Sequence, residues 1–516
     1  MVDASKYHER TKHTPEQLRS ADFSLDFENR PRSFKLYRNL PREPLESIRP
    51  PQAPALSVLA ESSADPLAGT AQGTPGDLDR ETLATLCYLA GGVTGATETD
   101  RGTARFRAAS CTGNLHHVDL YLVAGDRPGL DAGVYHFDPD GFALDRLRAG
   151  DYRGVLAAAT GGHAGVADAP VTVVATSTWW RNAWKYRDRA YRHAFWDSGT
   201  VLANLLAGGH ALDRRAEVVA GFADNSVVDL LGLDPEEEAP LELVALGSDA
   251  PTGGSLVGDP ATVEVIDPET EPYSPETVEY PLVWEAWQES TLPDGDAAAR
   301  WRRGVPETVG KRPPGDGERV VLDPVDHETA SARPLYGVVM RRRSSREFAD
   351  AAPSRRKLGT VLDRATRGVP GDWNGGSAPG LQFNDVYVLA TDVEGVPDGT
   401  YQFHPGEAAL ERIGDADDDV QTRLALGQSW AGDAHVNVYC MADVDAVVDR
   451  LGDRGYRLAQ LEAGVVLGRL YLATYAHRDL GGTGLTFFDD EVTAHLSPRA
   501  ERRTPMTLFA MGVAAT

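Results

Sequence analysis

The sequence predicts an α+β protein built from two copies of one unit, packed together within the chain as a pseudo-dimer. The first observation behind this is a duplication. Residues 119–123 (DLYLV) return at 385–389 (DVYVL), an offset of 266; Arg189 to Arg192 returns at Arg454 to Arg457, an offset of 265. Phe222-Ala-Asp matches Phe488-Asp-Asp at 266, and residues 240–247 match 505–512 at 265. Four anchors at nearly one offset mark a repeat, and two copies are too few for a solenoid. The second observation is that strand-length apolar runs alternate with one long helical stretch in each copy. A duplicated domain re-creates in one chain the interface of a symmetric homodimer.

Taken in order, residues 1–80 read as an N-terminal extension and linker. Residues 7–13 (YHERTKH) are polar and basic, suited to capping another domain or clasping a partner. Residues 34–37 and the proline-rich stretch through Pro54 look extended. Residues 61–78 are rich in Ser, Gly, Ala and Asp and read as linker. The first domain spans 81–250. Residues 83–90 have helical spacing and stop at Gly91-Gly92. Residues 118–123, 133–137 and 171–176 read as strands, with a turn at 138–141. A long helix is expected over 188–208 and a closing strand over 241–247. Residues 251–330 form an acidic, Pro/Gly-rich connector with one helix around 283–289. The second domain spans 331–516.

Charge narrows the partners. The formal net charge is -26, with 77 Asp plus Glu against 51 Lys plus Arg. This excludes nucleic acid and an anionic membrane as partners. Six residues are lysine: Lys6, Lys12, Lys35, Lys185, Lys311 and Lys357. An acidic, lysine-poor surface keeps its hydration in concentrated salt, so a halophile's cytoplasmic protein is expected. Cys87, Cys111 and Cys440 show no disulfide or zinc spacing. The first residues lack an apolar core of a leader, and no stretch is apolar enough to span a bilayer.

The most distinctive stretch follows an apolar turn at 335–339. Arg341, Arg342, Arg343 and Arg346 fall within six positions, with Ser344 and Ser345 among them. Arginine forks bind phosphate in pairs of hydrogen bonds, and a serine hydroxyl adds a neutral donor. Arg342, Ser344 and Arg346 alternate, so an extended segment points them to one side. The plain alternative is a solvated basic patch. Residues 107–115 (RAASCTGNL) precede a strand, and small residues with a glycine let backbone amides approach a flat ligand. An ordinary strand-entry turn is the alternative there. Residues 184–192 (WKYRDRAYR) place Lys185 beside Tyr186, absent from the second copy; both could instead be a packed ring and a solvated amine. Gly481, Gly482 and Gly484 read either as a ligand-facing segment or as a helix cap and loop. His116 and His117 read as strand neighbours pointing to opposite faces, which argues against a metal pair.

The Arg-Arg-Ser-x-Arg segment resembles the flavin-phosphate motif of the FMN-dependent nitroreductase superfamily. The YHERTKH start, the loop at 107–114 and the Lys-Tyr…Arg-x-Tyr-Arg segment resemble its SagB-type dehydrogenase branch. In that loop Ser110 stands where proline is usual, and Cys111 where serine is usual. The resemblance implies mostly antiparallel sheets flanked by helices, with flavin between the two units. It implies that Arg342, Arg343, Ser344 and Arg346 hold FMN phosphate. Arg107, Ser110, Cys111, Gly113, Asn114, Gly482 and Gly484 would line the cofactor. Lys185 and Tyr186 would be catalytic, the tyrosine acting as base with its pKa lowered by the lysine. The second unit's loop (377–381, SAPGL) is a poor copy, and residues 66–70 (PLAGT) lack arginine, so one FMN per chain is expected. The implied reaction is oxidation of azoline heterocycles in modified peptides, and the implied partner is a peptide-maturation complex. A NAD(P)H-dependent nitro or quinone reductase and a flavin-binding scaffold subunit are the other readings.

Overall fold

The computed structural model describes residues 2–20, 24–64, 78–99, 102–247, 263–326, 333–374, 380–417 and 419–515. Each unit is a seven-stranded sheet, and every neighbouring pair in it is antiparallel. The first runs Arg42–Pro44, Ala143–Ala149, Gly133–Asp138, Val118–Ala124, Val171–Thr178, Glu238–Gly247, Arg215–Val219. The second repeats that order with Arg319–Val321, Ala409–Asp415, Gly399–His404, Asn384–Ala390, Val436–Ala442, Thr504–Val513, Leu480–Leu485. Even the irregularity is duplicated: a register shift between Ala175 and Thr176 returns between Cys440 and Met441.

Alternation sets the layers. Leu120 and Leu122 join the core at the centre of the molecule, while Tyr121 and Val123 fill a cluster on the sheet's other face. Val386 and Val388 against Tyr387 and Leu389 repeat this in the second unit. With both faces covered, the strands read as continuous apolar runs.

Two long helices, Ala190–Ala211 and Asp453–Ala476, pack against each other at the centre. Their sequences explain the close approach. A Cβ on Gly199 would lie 2.4 Å from the Gly464 carbonyl carbon, and one on Gly464 2.5 Å from the Phe195 oxygen. Only glycine fits at either position. Positions 199 and 464 are 265 apart, so the crossing lies on the pseudo-twofold axis.

The polar seam obeys the same symmetry. Arg189 and Arg192 reach Asp489 of the other unit at 3.1 and 2.7 Å. Arg454 and Arg457 reach Asp224 at 2.8 Å or less. This corrects the third anchor: Asp224 corresponds to Asp489, so Phe222 aligns with Phe487, not Phe488, at an offset of 265. On the axis itself, Ala55 N donates to Arg333 O and Leu335 N to Ala53 O, a reciprocal bridge.

The segments outside the sequence-read domains are integral parts of both sheets. Arg42–Pro44 is the outer strand of the first sheet and Arg319–Val321 that of the second. Helix Ala4–Arg10 sets Tyr7 against Tyr191 and Tyr456, at 5.3 and 6.1 Å between ring centres. His8 hydrogen-bonds Tyr456 and Thr504 of the far unit, so the basic start clasps its own chain. The connector holds two helices, Pro281–Glu289 and Gly295–Arg303, where the sequence suggested one. The Asp294 carboxylate caps the second one through Ala297 N.

Two readings are overturned. Residues 481–484 are not a loop but part of the edge strand Leu480–Leu485, whose ladder to Thr504–Val513 overrides the low strand propensity of glycine. His116 and His117 precede the strand rather than sitting in it, and His116 has φ +50°. A hairpin of Val93–Thr99 and Gly102–Arg107 went unread in the sequence. Among the described residues, no helix is long and apolar enough to cross a membrane.

Candidate functional site

Helix Leu335–Arg341 ends as Arg342 turns to φ −51°, ψ 134°, and the arginine segment follows without regular structure. Arg341 donates to the carbonyls of Tyr475 and His477, at 3.0 and 2.6 Å. Arg342 crosses to the first unit and donates to the carbonyls of Arg107 and Ala108, at 2.8 and 2.9 Å. Its guanidinium also lies over the Tyr471 ring at 5.6 Å, and Ser344 Oγ meets the hydroxyl of that tyrosine at 3.4 Å. Arg346 lies over Trp430 at 5.2 Å. Arg343 turns away and donates to the carbonyls of Met340 and Arg342 at its own helix end. The structure therefore sets Arg343 apart from Arg342, Ser344 and Arg346.

Among the described residues, no carboxylate lies within ion-pair distance of Arg341, Arg342, Arg343 or Arg346. That is unusual in a chain of formal net charge -26. Burial holds the Arg342 pKa below its ordinary value, and Arg343 adds repulsion. A bound anion relieves both, so the residues present fit a phosphate-bearing cofactor.

The first unit supplies the loop that Arg342 touches. Asp197, on the central helix, clamps it. Its carboxylate accepts from Thr112 N at 2.9 Å, Thr112 Oγ1 at 2.8 Å and Cys111 Sγ at 3.1 Å. His117 Nε2 lies 2.8 Å from the same carboxylate, with Ser177 Oγ on its other nitrogen. Cys111, His117 and Asp197 offer three ligand atoms within 4.8 Å of one another. Each is matched to a hydrogen-bond partner, and the cluster has a counterpart. Glu462, 265 residues on, accepts from the backbone N–H groups of Gln382, Phe383 and Asn384. The cluster thus acts as a loop clamp. Burial, with Asp197 adding to it, pushes the Cys111 thiol well up, so it stays protonated.

Gly113 sits at φ +65°, and a Cβ there would come 2.8 Å from the Tyr186 hydroxyl. Both its backbone and its lack of a side chain are therefore required. Asn114 binds inward, to the Arg105 carbonyl and His116. The Ser110 carbonyl accepts from Thr200. Arg107 is a correction. Its guanidinium is buried and turned to the carbonyls of Gly91, His116 and Val118, which makes it a post under the loop. Gly482 O accepts from Ser345 N at 3.2 Å, and Gly484 N donates to the Tyr471 hydroxyl at 2.6 Å. Both glycines thus join the arginine segment through Tyr471 and Tyr475.

Lys185 and Tyr186 end helix Trp179–Tyr186 beside this loop. Lys185 Nζ lies over the Tyr186 ring, 5.1 Å from its centre. Burial, then Asp197 and Cys111, raise the tyrosine pKa well above its ordinary value. This overturns the expected low-pKa tyrosine: the Lys185 ammonium lies over the ring, while burial and the charge of Asp197 disfavour the phenolate. Burial, then Arg346 and Arg30, lower the Lys185 pKa instead. Arg346 of the second unit thus acts on both residues of the first.

The pseudo-symmetric position is built differently. Strand Arg215–Val219 stands there for Leu480–Leu485. Val218 N donates to Pro370 O at 3.0 Å and Val218 O accepts from Asp372 N at 2.9 Å. The Asp372 carboxylate accepts from Ala220 N, Gly221 N and Arg302, at 2.9, 3.1 and 3.0 Å. The chain itself covers this strand. The residues 66–70, and Ser377, Ala378 and Pro379 of the second loop, lie outside the described residues.

Asp197, Tyr471, Tyr475 and Trp430 escaped the sequence reading. Tyr471 and Tyr475 stand one helical turn apart, which was the available signal.

A family model described as the nitroreductase family matches residues 74–248 and 339–512. A protein of Methanocaldococcus jannaschii named as a nitroreductase is 29% identical over 170 residues, 31% of this chain and 81% of its own. A crystal structure described as a nitroreductase from Anabaena variabilis matches 100% of both chains, with TM-score 0.78 and 23% identity. The Escherichia coli microcin synthetase McbBCD complex with truncated pro-MccB17 bound matches 48% of this chain and 91% of its own. That match has 20% identity and TM-score 0.30, a score too low to argue from.

Proposed function

Because the chain belongs to the nitroreductase family, we propose that it uses FMN, as a SagB-type dehydrogenase oxidising azoline heterocycles in modified peptides. It is an oxidoreductase of that family. The observation that carries the FMN reading is the meeting of Arg342 with the first unit's loop, among four guanidiniums that, among the described residues, have no carboxylate within ion-pair distance. The narrower branch is supported by the YHERTKH start, the residues at 107–114 and the Lys185-Tyr186 pair. The acidic, lysine-poor composition supports a cytoplasm rich in salt.

In this reading Arg342, Ser344 and Arg346 would hold the phosphate, and residues 111–114 with Gly482 and Gly484 would line the rest of the cofactor. Bound FMN supplies the two-electron acceptor, which dioxygen or another oxidant regenerates. Converting a thiazoline or oxazoline to the aromatic ring removes a hydride and a proton. Lys185 would take the proton, since burial, then Arg346 and Arg30, lower its pKa and favour the neutral amine more than in an ordinary lysine. Tyr186 keeps its proton and orients the lysine and the Gly113 turn. With the second position covered by residues 370–372, one FMN per chain is expected.

The test is anaerobic mixing of purified protein with a thiazoline-bearing peptide. Loss of flavin absorbance with appearance of the thiazole supports the reading. Bleaching by NAD(P)H but not by the peptide would favour a nitro or quinone reductase instead.

A further inference from the structure

Proteins manage the open edges of their sheets, because unpaired N–H and C=O groups recruit other chains. Both large sheets here follow that rule. Two of their edge strands, Arg42–Pro44 and Arg319–Val321, are three residues long. The other two are covered: Arg215–Val219 by residues 370–372, and Leu480–Leu485 by Ser345, Tyr471 and Tyr475.

The hairpin breaks the rule. Strand Val93–Thr99 is mostly exposed, and among the described residues no backbone hydrogen bond reaches residues 93–98 from outside the hairpin. It carries no lysine or proline there, and Val93 with three threonines lies along it, which favours pairing. The direction of its free groups is fixed by its partner strand. The Arg105 carbonyl points away from the hairpin and is taken by Asn114. Arg105 is paired with Ala96, so Ala96 turns its own N–H and C=O to the opposite, open edge. Glu98, two residues on, does the same. Phe106, across from Gly95, is 44% exposed and gives the hairpin an apolar spot.

Position supplies the purpose. Arg107 ends the partner strand, and its carbonyl and that of Ala108 hold Arg342. The hairpin is thus the outward extension of the candidate site's loop. Among its described residues the second unit has no such hairpin: residue Gly371, after helix Arg355–Ala365, bridges to Val218. The open edge therefore occurs in the unit that contributes Lys185, Tyr186 and the loop.

We propose that the edge of Val93–Thr99 docks the peptide substrate, which adds to the hairpin as a third strand and is led from there to the site. This rests on the peptide reading of the function. A heterocycle inside a chain can be laid against a flat cofactor when the flanking residues lie extended. Main-chain pairing holds them so without regard to side chains.

The probe is a capped decapeptide of Gly, Ser and Thr with one central thiazoline, compared with a capped thiazoline bearing one residue on each side. Hydrogen exchange should slow at Ala96 and Glu98 on adding the decapeptide. Ala96→Pro removes only an outward N–H, and proline is tolerated at such edge positions. It should raise the decapeptide KM roughly five- to tenfold, as the loss of one or two backbone bonds implies. Flavin content and turnover of the short thiazoline should not change. Ala96→Val keeps the N–H and should behave as wild type; Glu98→Pro is the second variant if Ala96→Pro folds poorly. Equal decapeptide KM in wild type and both proline variants overturns the docking and leaves the oxidation reading intact. Protection of Ala96 and Glu98 by a decapeptide that is never oxidised supports the docking and removes the reaction. Protection that needs no peptide and grows with protein concentration means that the edge pairs with a second copy, which also overturns the proposal.

Discussion

At Arg342 a single guanidinium joins the two units. It leaves a second-unit helix end and binds the carbonyls of Arg107 and Ala108 in the first. Arg342→Ala should lower FMN affinity about ten- to hundredfold, the loss of a charge-assisted bond. Flavin retained through gel filtration at wild-type occupancy would place the phosphate elsewhere. Lys185 is testable by pH. Its pKa is lowered by burial, then by Arg346 and Arg30, so the amine is neutral at lower pH than an ordinary lysine. The rate should rise with pH and level off below the ordinary value of 10.5. Lys185→Gln should slow the chemical step by roughly 10²–10⁴-fold and abolish that rise. Tyr186→Phe should cost far less, since its hydroxyl stays protonated. A flat profile in the wild type would remove Lys185 as the base. The arginine cluster was legible in the sequence because its chemistry lies within six consecutive positions. Asp197 and Tyr471 were not, because only the fold brings a helix interior against a loop 85 residues away. The direction of the Tyr186 shift was misread for the same reason: sequence shows the neighbouring lysine but not the burial of the ring or the charge of Asp197.

The central helices and their seam carry the duplication. Asp489 is pushed up by burial, but Arg189 and Arg192 outweigh that and hold its carboxyl well below the ordinary range. A depressed carboxyl contributes stability above its unfolded pKa, about 3.9, which is lost as pH falls toward the folded value. Asp489→Asn leaves two buried arginines unpaired and should cost about 3–5 kcal/mol in denaturant unfolding at neutral pH, with a weaker acid dependence. A loss under about 1 kcal/mol would make the seam incidental. Gly199→Ala drives a methyl into the Gly464 backbone and should cost about 1–3 kcal/mol. The repeat was readable because Arg-x-x-Arg and the apolar strands kept their spacing. The hairpin was not, because Thr, Gly and Glu leave its exposed strands without an apolar face. The glycine strand was missed because its ladder, not its propensity, makes it a strand.

The whole molecule is one duplicated fold in which the edge strand at one of two equivalent positions is bordered by the arginine segment and the other by residues 370–372. Its acidic surface predicts a salt response. The melting temperature should rise between about 0.1 M and about 1 M KCl, as the screening length falls from about 10 Å to about 3 Å. A fall over that range would contradict adaptation to salt. The central claim is a single composite site, with arginines from the second unit and a loop and Lys185-Tyr186 from the first. The direct measurement is the molar ratio of released FMN to protein chain, from absorbance after denaturing flavin-saturated, desalted protein. A ratio of one is expected; a ratio of two would show that the covered position binds as well, and a ratio of zero would remove the cofactor from the site.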